Sequence, residues 1–220
     1  MIFRKLFQPK SLKGILESYI KKEPRARFIQ IGSNNGVNND PLRPLILKYK
    51  ISGILLEPVG YIFEQLVENY EGTSGLDFVN AAVSDIDGEK EFYRLRQSST
   101  DLPIWYDQLG SFNLSVILKH KAEIPDIENY IICEKIKTIT FKTLIKKYPI
   151  RQFDIIHIDT EGYDYEIIKL IPFQIINPKI VIFEHKHLSD EIYGECYQYL
   201  ISKGFKLSRD GDDTVAVKRA

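Results

Sequence analysis

The carboxylates, imidazoles and flexible glycines of this sequence that are best placed for chemistry gather in five short clusters. In Gly32-Ser33-Asn34-Asn35-Gly36, glycine lets the backbone turn tightly and a ligand approach it closely. Asn34 stands where a dinucleotide fingerprint needs its second glycine, and no G-x-x-x-x-G-K-S/T run exists, so pyrophosphate recognition is disfavoured. Glu57 follows roughly twenty residues later, and an ionised carboxylate there accepts hydrogen bonds from both hydroxyls of a ribose. Asn80, Ala81, Ala82, Ser84 and Asp85 form a third polar and small-residue group. Asp159-Thr160-Glu161-Gly162 supplies two carboxylates suited to acid–base work. Glu184, His185 and His187 place two imidazoles beside an acid, a pattern suited to a base or a ligand. Each cluster also has a plain structural reading: a strand-to-helix turn, a surface glutamate, an acidic helix cap or a satisfied histidine.

What separates these readings is whether the clusters share one edge of a sheet. Short apolar runs at 28–31, 51–57, 78–84, 153–158 and 179–183 read as strands, and each ends in one of the five clusters. Between them, helical spacing appears at 40–50, 59–70, near Gly162 and at 189–203, where Gly204 supplies a helix stop. Ile62, Phe63, Leu66, Val67 and Tyr70 fall on one face of the second of these. Alternating strands and helices imply right-handed crossovers and a mostly parallel sheet. In such sheets ligands bind beyond the carboxyl ends of the strands. The runs FKLSR and TVAVK around 209–213 instead form an antiparallel hairpin, so the sheet should close with one reversed strand.

Two regions stand outside this rhythm. Leu12, Ile15, Leu16, Tyr19 and Ile20 recur at helical spacing, which makes residues 1–26 an N-terminal helical extension. Residues 27–220 then form a single domain with an insertion at about 97–130. That insertion is polar and aromatic, without sustained periodicity, and loops of this length are commonly functional. A partly helical covering over the site is expected, in which Trp105, Tyr106, Phe112, Ser111 and Asn113 either meet a sugar or form the insertion's own core.

Composition narrows the function further. The chain has 220 residues, 44% of them hydrophobic, enough for one sizeable core. Thirty basic and thirty acidic residues cancel, so bulk charge offers no hold on nucleic acid. No apolar run approaches the ~20 residues of a membrane span. Cys133 and Cys196 have no metal-ligand spacing and suit a reducing, cytoplasmic setting as semi-buried packing residues.

In order and spacing, FIQIGSNNG, GILLEP, NAAVSDIDGEKEFY, DIIHIDTEGYDYEII and IVIFEHK resemble the FkbM family of S-adenosylmethionine-dependent methyltransferases. The match runs from about Phe28 to about His187, and I-D-T-E-G-Y-D is its most specific piece. The resemblance implies a Rossmann-like α/β class I methyltransferase sheet, mostly parallel and seven-stranded, with the last strand antiparallel and helices on both faces. It implies S-adenosylmethionine as cofactor, leaving S-adenosylhomocysteine. Gly32, Ser33 and Gly36 would line the methionine side, Glu57 would hold the ribose, and Ala82 with Ser84 would border the adenine. Asn34 and Asp159 complete the expected cofactor-binding set. Asp159, Glu161 and His185 are the expected catalytic group, with Asp159 or His185 as base and Glu161 positioning. The acceptor class implied is a hydroxyl of a sugar, glycan or secondary metabolite, with no nucleic acid partner.

The rival readings are a nicotinamide-dependent oxidoreductase, weakened by Asn34 and by the hairpin, and a non-catalytic module that kept the fold. A divalent metal held by Asp159, Glu184 and His185 is a less favoured variant of the methyltransferase reading. Oligomeric state is open.

Overall fold

The computed structural model describes residues 11–97, 103, 105–106, 109–148 and 153–219. Helix α1 (Leu12–Lys22) starts at Ser11, whose hydroxyl accepts a hydrogen bond from Gly14 N–H, and turns Leu12, Leu16 and Ile20 inward. β1 (Arg27–Ile31) leads through α2 (Arg43–Tyr49) to β2 (Ser52–Leu56), and α3 (Gly60–Asn69) leads to β3 (Leu76–Val79). Then come β4 (Ala82–Val83), β5 (Gly88–Leu95), β6 (Gly110–Ser111), α4 (Leu114–Leu118) and β7 (Ile131–Ile139). α5 (Phe141–Lys147) precedes β8 (Ile155–Ile158), and α6 (Asp164–Leu170) with α7 (Phe173–Ile176) precedes β9 (Ile180–Glu184). α8 (Asp190–Ser202) delivers the chain to β10 (Phe205–Asp210) and β11 (Asp213–Lys218).

The main sheet has seven strands in the order β10-β11-β9-β8-β1-β2-β3. β3, β2, β1, β8 and β9 pair in parallel, whereas β11 runs antiparallel to both β9 and β10. Helices cover both faces. Ile29, Ile54, Ile156 and Val181 pack with Ile167, Ile168 and Leu200 on one side. Phe28, Leu55, Ile155 and Ile182 pack with Leu16, Ile46 and Leu66 on the other. A strand buried on both faces has no polar side to alternate with, which is why these runs are apolar apart from Gln30 and His157. α1 shares the second core through Leu12, Leu16 and Ile20.

The expected strand over 78–84 is broken in two. After β3 the chain turns at Asn80, whose side-chain amide donates to the carbonyls of Glu57 and Pro58 at 2.9 and 3.0 Å. β4 then joins a separate four-stranded sheet, β4-β7-β5-β6. Its centre is the antiparallel pairing of β5 with β7, from Gly88 opposite Thr138 to Leu95 opposite Ile131. This second sheet stands beside the expected seven-stranded one. Its partners lie some forty residues apart around the insertion, so strand periodicity alone could not pair them.

Smaller differences concern faces and ends. α2 begins at Arg43, after Asp40 Oδ1 has accepted from the backbone N–H groups of Leu42 and Arg43. α6 begins at Asp164. Val67 is exposed on α3, unlike Ile62 and Leu66. Cys196 is fully buried and Cys133 is exposed on β7, so neither is half-buried.

Candidate active site

A cavity of about 1010 Å³ opens at the carboxyl ends of β1, β2, β8 and β9, under the insertion. Its walls join the glycine loop to the two acidic loops of the sequence.

The glycine loop is hooked over β2, because Gly32 N–H and Ser33 N–H both donate to Leu56 C=O, at 3.0 and 2.9 Å. Gly32 has φ +78°, and a Cβ there would lie 1.8 Å from the Asp159 carbonyl oxygen, so only glycine fits between β1 and β8. Asn34 also adopts a left-handed backbone, φ +47°. Its N–H donates to Glu57 Oε2 at 3.0 Å, and Val59 N–H donates to Glu57 Oε1 at 2.9 Å. Burial pushes the Glu57 carboxyl up to about 7 despite these two bonds. A carboxylate has about four acceptor sites, so each oxygen keeps capacity for a further donor. Beside it, Val59, Ile62, Ala82 and Phe92 form an apolar surface.

Two expected cofactor residues turn elsewhere. Gly36, φ +70°, is not part of the cavity wall; a Cβ there would strike the Leu66 and Tyr70 side chains at 2.6 Å. It is a packing glycine. Ser84 is buried outside the cavity, donating its hydroxyl to Asp85 Oδ1 at 2.9 Å.

Asp159, next to the glycine loop, lines the same cavity with Glu161, Glu184 and His187. Asp159 is fixed by its own N–H, which donates to Ile31 C=O at 2.9 Å across the β1–β8 gap. Glu161 (φ +49°) and Gly162 (φ +87°) form a consecutive left-handed pair that turns the chain before α6. His187 Nε2 lies 3.0 Å from Glu161 Oε2 and 3.6 Å from Glu184 Oε2. Both of those carboxylate oxygens are buried, and His187 makes a well-aligned hydrogen bond to neither. Burial, then the neighbouring Glu161 and Asp164 carboxylates, raise Asp159 well above the usual carboxylate range. Burial and the Asp159 and Glu161 charges push Glu184 up to about 8. For His187 burial opposes the charged form, but the adjacent Glu161 and Glu184 outweigh it and the net shift is upward.

His185, the expected base, is not on this cavity. Successive residues of an extended strand point to opposite faces, and β9 continues its pairing one residue further, with His185 N–H donating to Asp212 C=O at 2.9 Å. Glu184 therefore faces the cavity while His185 faces away, its Nδ1 3.1 Å from Thr214 Oγ1 and its ring 5.3 Å from that of Tyr193. His187 returns to the cavity side. This also breaks up the metal set of Asp159, Glu184 and His185. Asp164 is likewise not on the wall: it accepts from Thr160 Oγ1 at 3.1 Å and from Glu184 N–H at 3.2 Å, tying α6 to β9.

The insertion contributes Trp105, Phe112 and His120 to the wall. The His120 ring lies between Trp105, at 5.2 Å, and His187, at 5.6 Å. Phe112 meets Tyr163 at 4.9 Å and Phe92 at 5.3 Å. Ser111 Oγ donates to the Glu161 carbonyl at 2.9 Å, which locks the insertion to the acidic loop. Tyr106 packs instead with Leu95, Ile117 and Ile127, and Asn113 caps α4.

Sequence reasoning passed over Gln30 and His157, which sit opposite each other on β1 and β8 and border the cavity. They are 1% and 3% exposed. A polar residue inside an otherwise apolar parallel strand was the available signal. Burial lowers the His157 pKa.

A parallel sheet with a reversed final strand, and a cavity across its carboxyl edge, defines a Rossmann-like class I methyltransferase fold. The methyltransferase FkbM domain matches residues 30–207, and the chain belongs to that family. No curated protein sequence matches it. Among solved structures, a METTL16 methyltransferase domain aligns with TM-score 0.50 and 10% identity, covering 94% of this chain and 66% of that one. An O-methyltransferase from Bacillus cereus in complex with SAH gives TM-score 0.46 and 10% identity, with 94% and 80% covered. A fibrillarin/Nop5p complex gives 0.45 and 11%, with 90% and 74% covered.

Proposed function

We propose that this methyltransferase transfers the methyl group of S-adenosylmethionine to a hydroxyl of a sugar, glycan or small metabolite. One observation carries the reading. A single cavity joins the Glu57 carboxylate beside the glycine loop to the Asp159–Glu161–Glu184–His187 cluster beneath the aromatic insertion. The residues fit the cofactor: Glu57 keeps acceptor capacity for a ribose diol, and Val59, Ile62, Ala82 and Phe92 offer an apolar surface for a base.

When bound, S-adenosylmethionine supplies an electrophilic methyl on a positive sulfonium, so no covalent enzyme intermediate is required. The chain's task is alignment, which in oriented systems contributes a large part of rate acceleration. Asp159 and Glu161 favour positive charge at their end of the cavity. Asp159 is the proposed proton acceptor for the hydroxyl, a contribution of ~10²–10⁴, and Glu161 the positioning group. Trp105 and Phe112 offer faces for the apolar side of a sugar ring. The chain is proposed to act as one domain with the insertion over its site. No helix among the described residues is long and apolar enough to cross a membrane, and a cytoplasmic location is part of the proposal.

Calorimetric titration with S-adenosylhomocysteine, with NAD in parallel, tests the cofactor. Micromolar binding of the former alone is expected, after which hydroxylated sugars are the first acceptors to screen. Binding of NAD alone would replace this reading with an oxidoreductase, and binding of neither by folded protein would leave a non-catalytic module.

A further inference from the structure

Glu161, Glu184 and His187 each offer one ligand atom, and the three atoms lie within 4.8 Å of one another. All three residues line the cavity. We infer that they form a site for a divalent cation, resting on the acceptor end of the methyltransferase cavity proposed above.

Three features favour a cation over a plain histidine–glutamate pair. First, a hydrogen-bonded pair would direct the imidazole N–H at one oxygen. Here the one His187 Nε2 is shared between two buried oxygens, Glu161 Oε2 and Glu184 Oε2, and makes a well-aligned hydrogen bond to neither, an arrangement that is unfavourable unless something else helps to satisfy them. Second, the spacing suits coordination. Two donors at right angles, each ~2.1 Å from a metal, lie about 3 Å apart, and His187 Nε2 is 3.0 Å from Glu161 Oε2 and 3.6 Å from Glu184 Oε2. Third, donors are crowded. Three carboxyl groups, Asp159, Glu161 and Glu184, share this end of the cavity with the single imidazole of His187, while Lys186, also on the wall, pairs with Asp212 Oδ2 at 3.7 Å.

The positions are also held. Glu161 is aimed by its left-handed backbone, φ +49°. Its carbonyl is bound by Ser111, and Asp164 fixes the backbone of Glu184. His187 is packed against His120. Two carboxylates and one imidazole suit Mn²⁺ better than Mg²⁺, which prefers oxygen ligands alone and dehydrates reluctantly. Three protein ligands leave coordination positions for the acceptor hydroxyl, whose oxygen the cation would hold and make more acidic.

The test is a titration of metal-stripped full-length protein with Mn²⁺, following free ion by electron paramagnetic resonance. Mg²⁺ and Zn²⁺ serve as competitors. One saturable Mn²⁺ site is expected, weakened at least ~100-fold in Glu184→Gln and in His187→Gln and unchanged in His185→Ala, whose ring is on the far side of β9. Far-ultraviolet circular dichroism of every variant reports folding, and S-adenosylhomocysteine binding is measured separately. Saturable Mn²⁺ binding that neither substitution weakens would overturn the site. So would its absence below millimolar concentration in protein that binds S-adenosylhomocysteine, and that result would leave the methyltransferase reading standing. Mn²⁺ binding that depends on both residues, in protein blind to S-adenosylhomocysteine, would support the site and remove the cofactor reading instead.

Discussion

At the scale of single residues, two histidines just beyond β9 show how little chemistry a residue type guarantees. His185 and His187 have the same side chain and nearly the same position in sequence, but strand alternation turns the first to Tyr193 and Thr214, and the turn that follows, in which Leu188 N–H donates to His185 C=O, carries the second to Glu161 and Glu184. His185→Ala should therefore leave turnover within about twofold. Asp159→Asn should lower it by ~10²–10⁴ while S-adenosylhomocysteine still binds. Steady-state rates with any accepted hydroxyl substrate, alongside calorimetry, check both. A large loss in the His185 variant would return the base to that residue.

Elements place these residues by how they pack. β8 and β1 can approach closely at Gly32 because no Cβ intervenes, and that approach sets Asp159 beside the glycine loop. α1 lies before the family match, which begins at residue 30, yet it is part of the core. Leu16 is fully buried among Phe28, Ile46 and Leu66. Truncating it should act like any core deletion, so Leu16→Ala is expected to lower unfolding free energy by ~2–5 kcal/mol. Urea denaturation measures this. A change under ~0.5 kcal/mol, the usual range for surface substitutions, would mean that α1 is dispensable.

For the whole molecule, the buried Glu57 links pH, folding and cofactor. Its pKa rises from an ordinary 4.5 to about 7, chiefly by burial. The folded state thus favours the protonated acid, and a stability penalty develops as pH climbs from the unfolded value of 4.5 and is complete above about 7. Melting temperature should fall across that window, and Glu57→Gln should flatten the fall. Ribose hydroxyls favour the carboxylate, so S-adenosylhomocysteine affinity should weaken by about tenfold per pH unit below 7. Calorimetry at pH 6 and 8 tests this, and pH-independent affinity would show that Glu57 does not meet the ribose.

The sequence by itself determined the main sheet, because strands buried on both faces must be apolar throughout and the helices between them must carry an apolar stripe. It also determined which strand ends carry acids and glycines, since β1, β2, β8 and β9 each run out in one of the marked clusters. Tertiary structure alone decided the second sheet, whose strands pair across the insertion. It decided that Gly36 and Ser84 lie off the cavity wall while Gln30 and His157 border it. It decided between the two histidines as well: which face a residue presents after a strand ends depends on how far pairing continues, and that is a property of β11, not of β9.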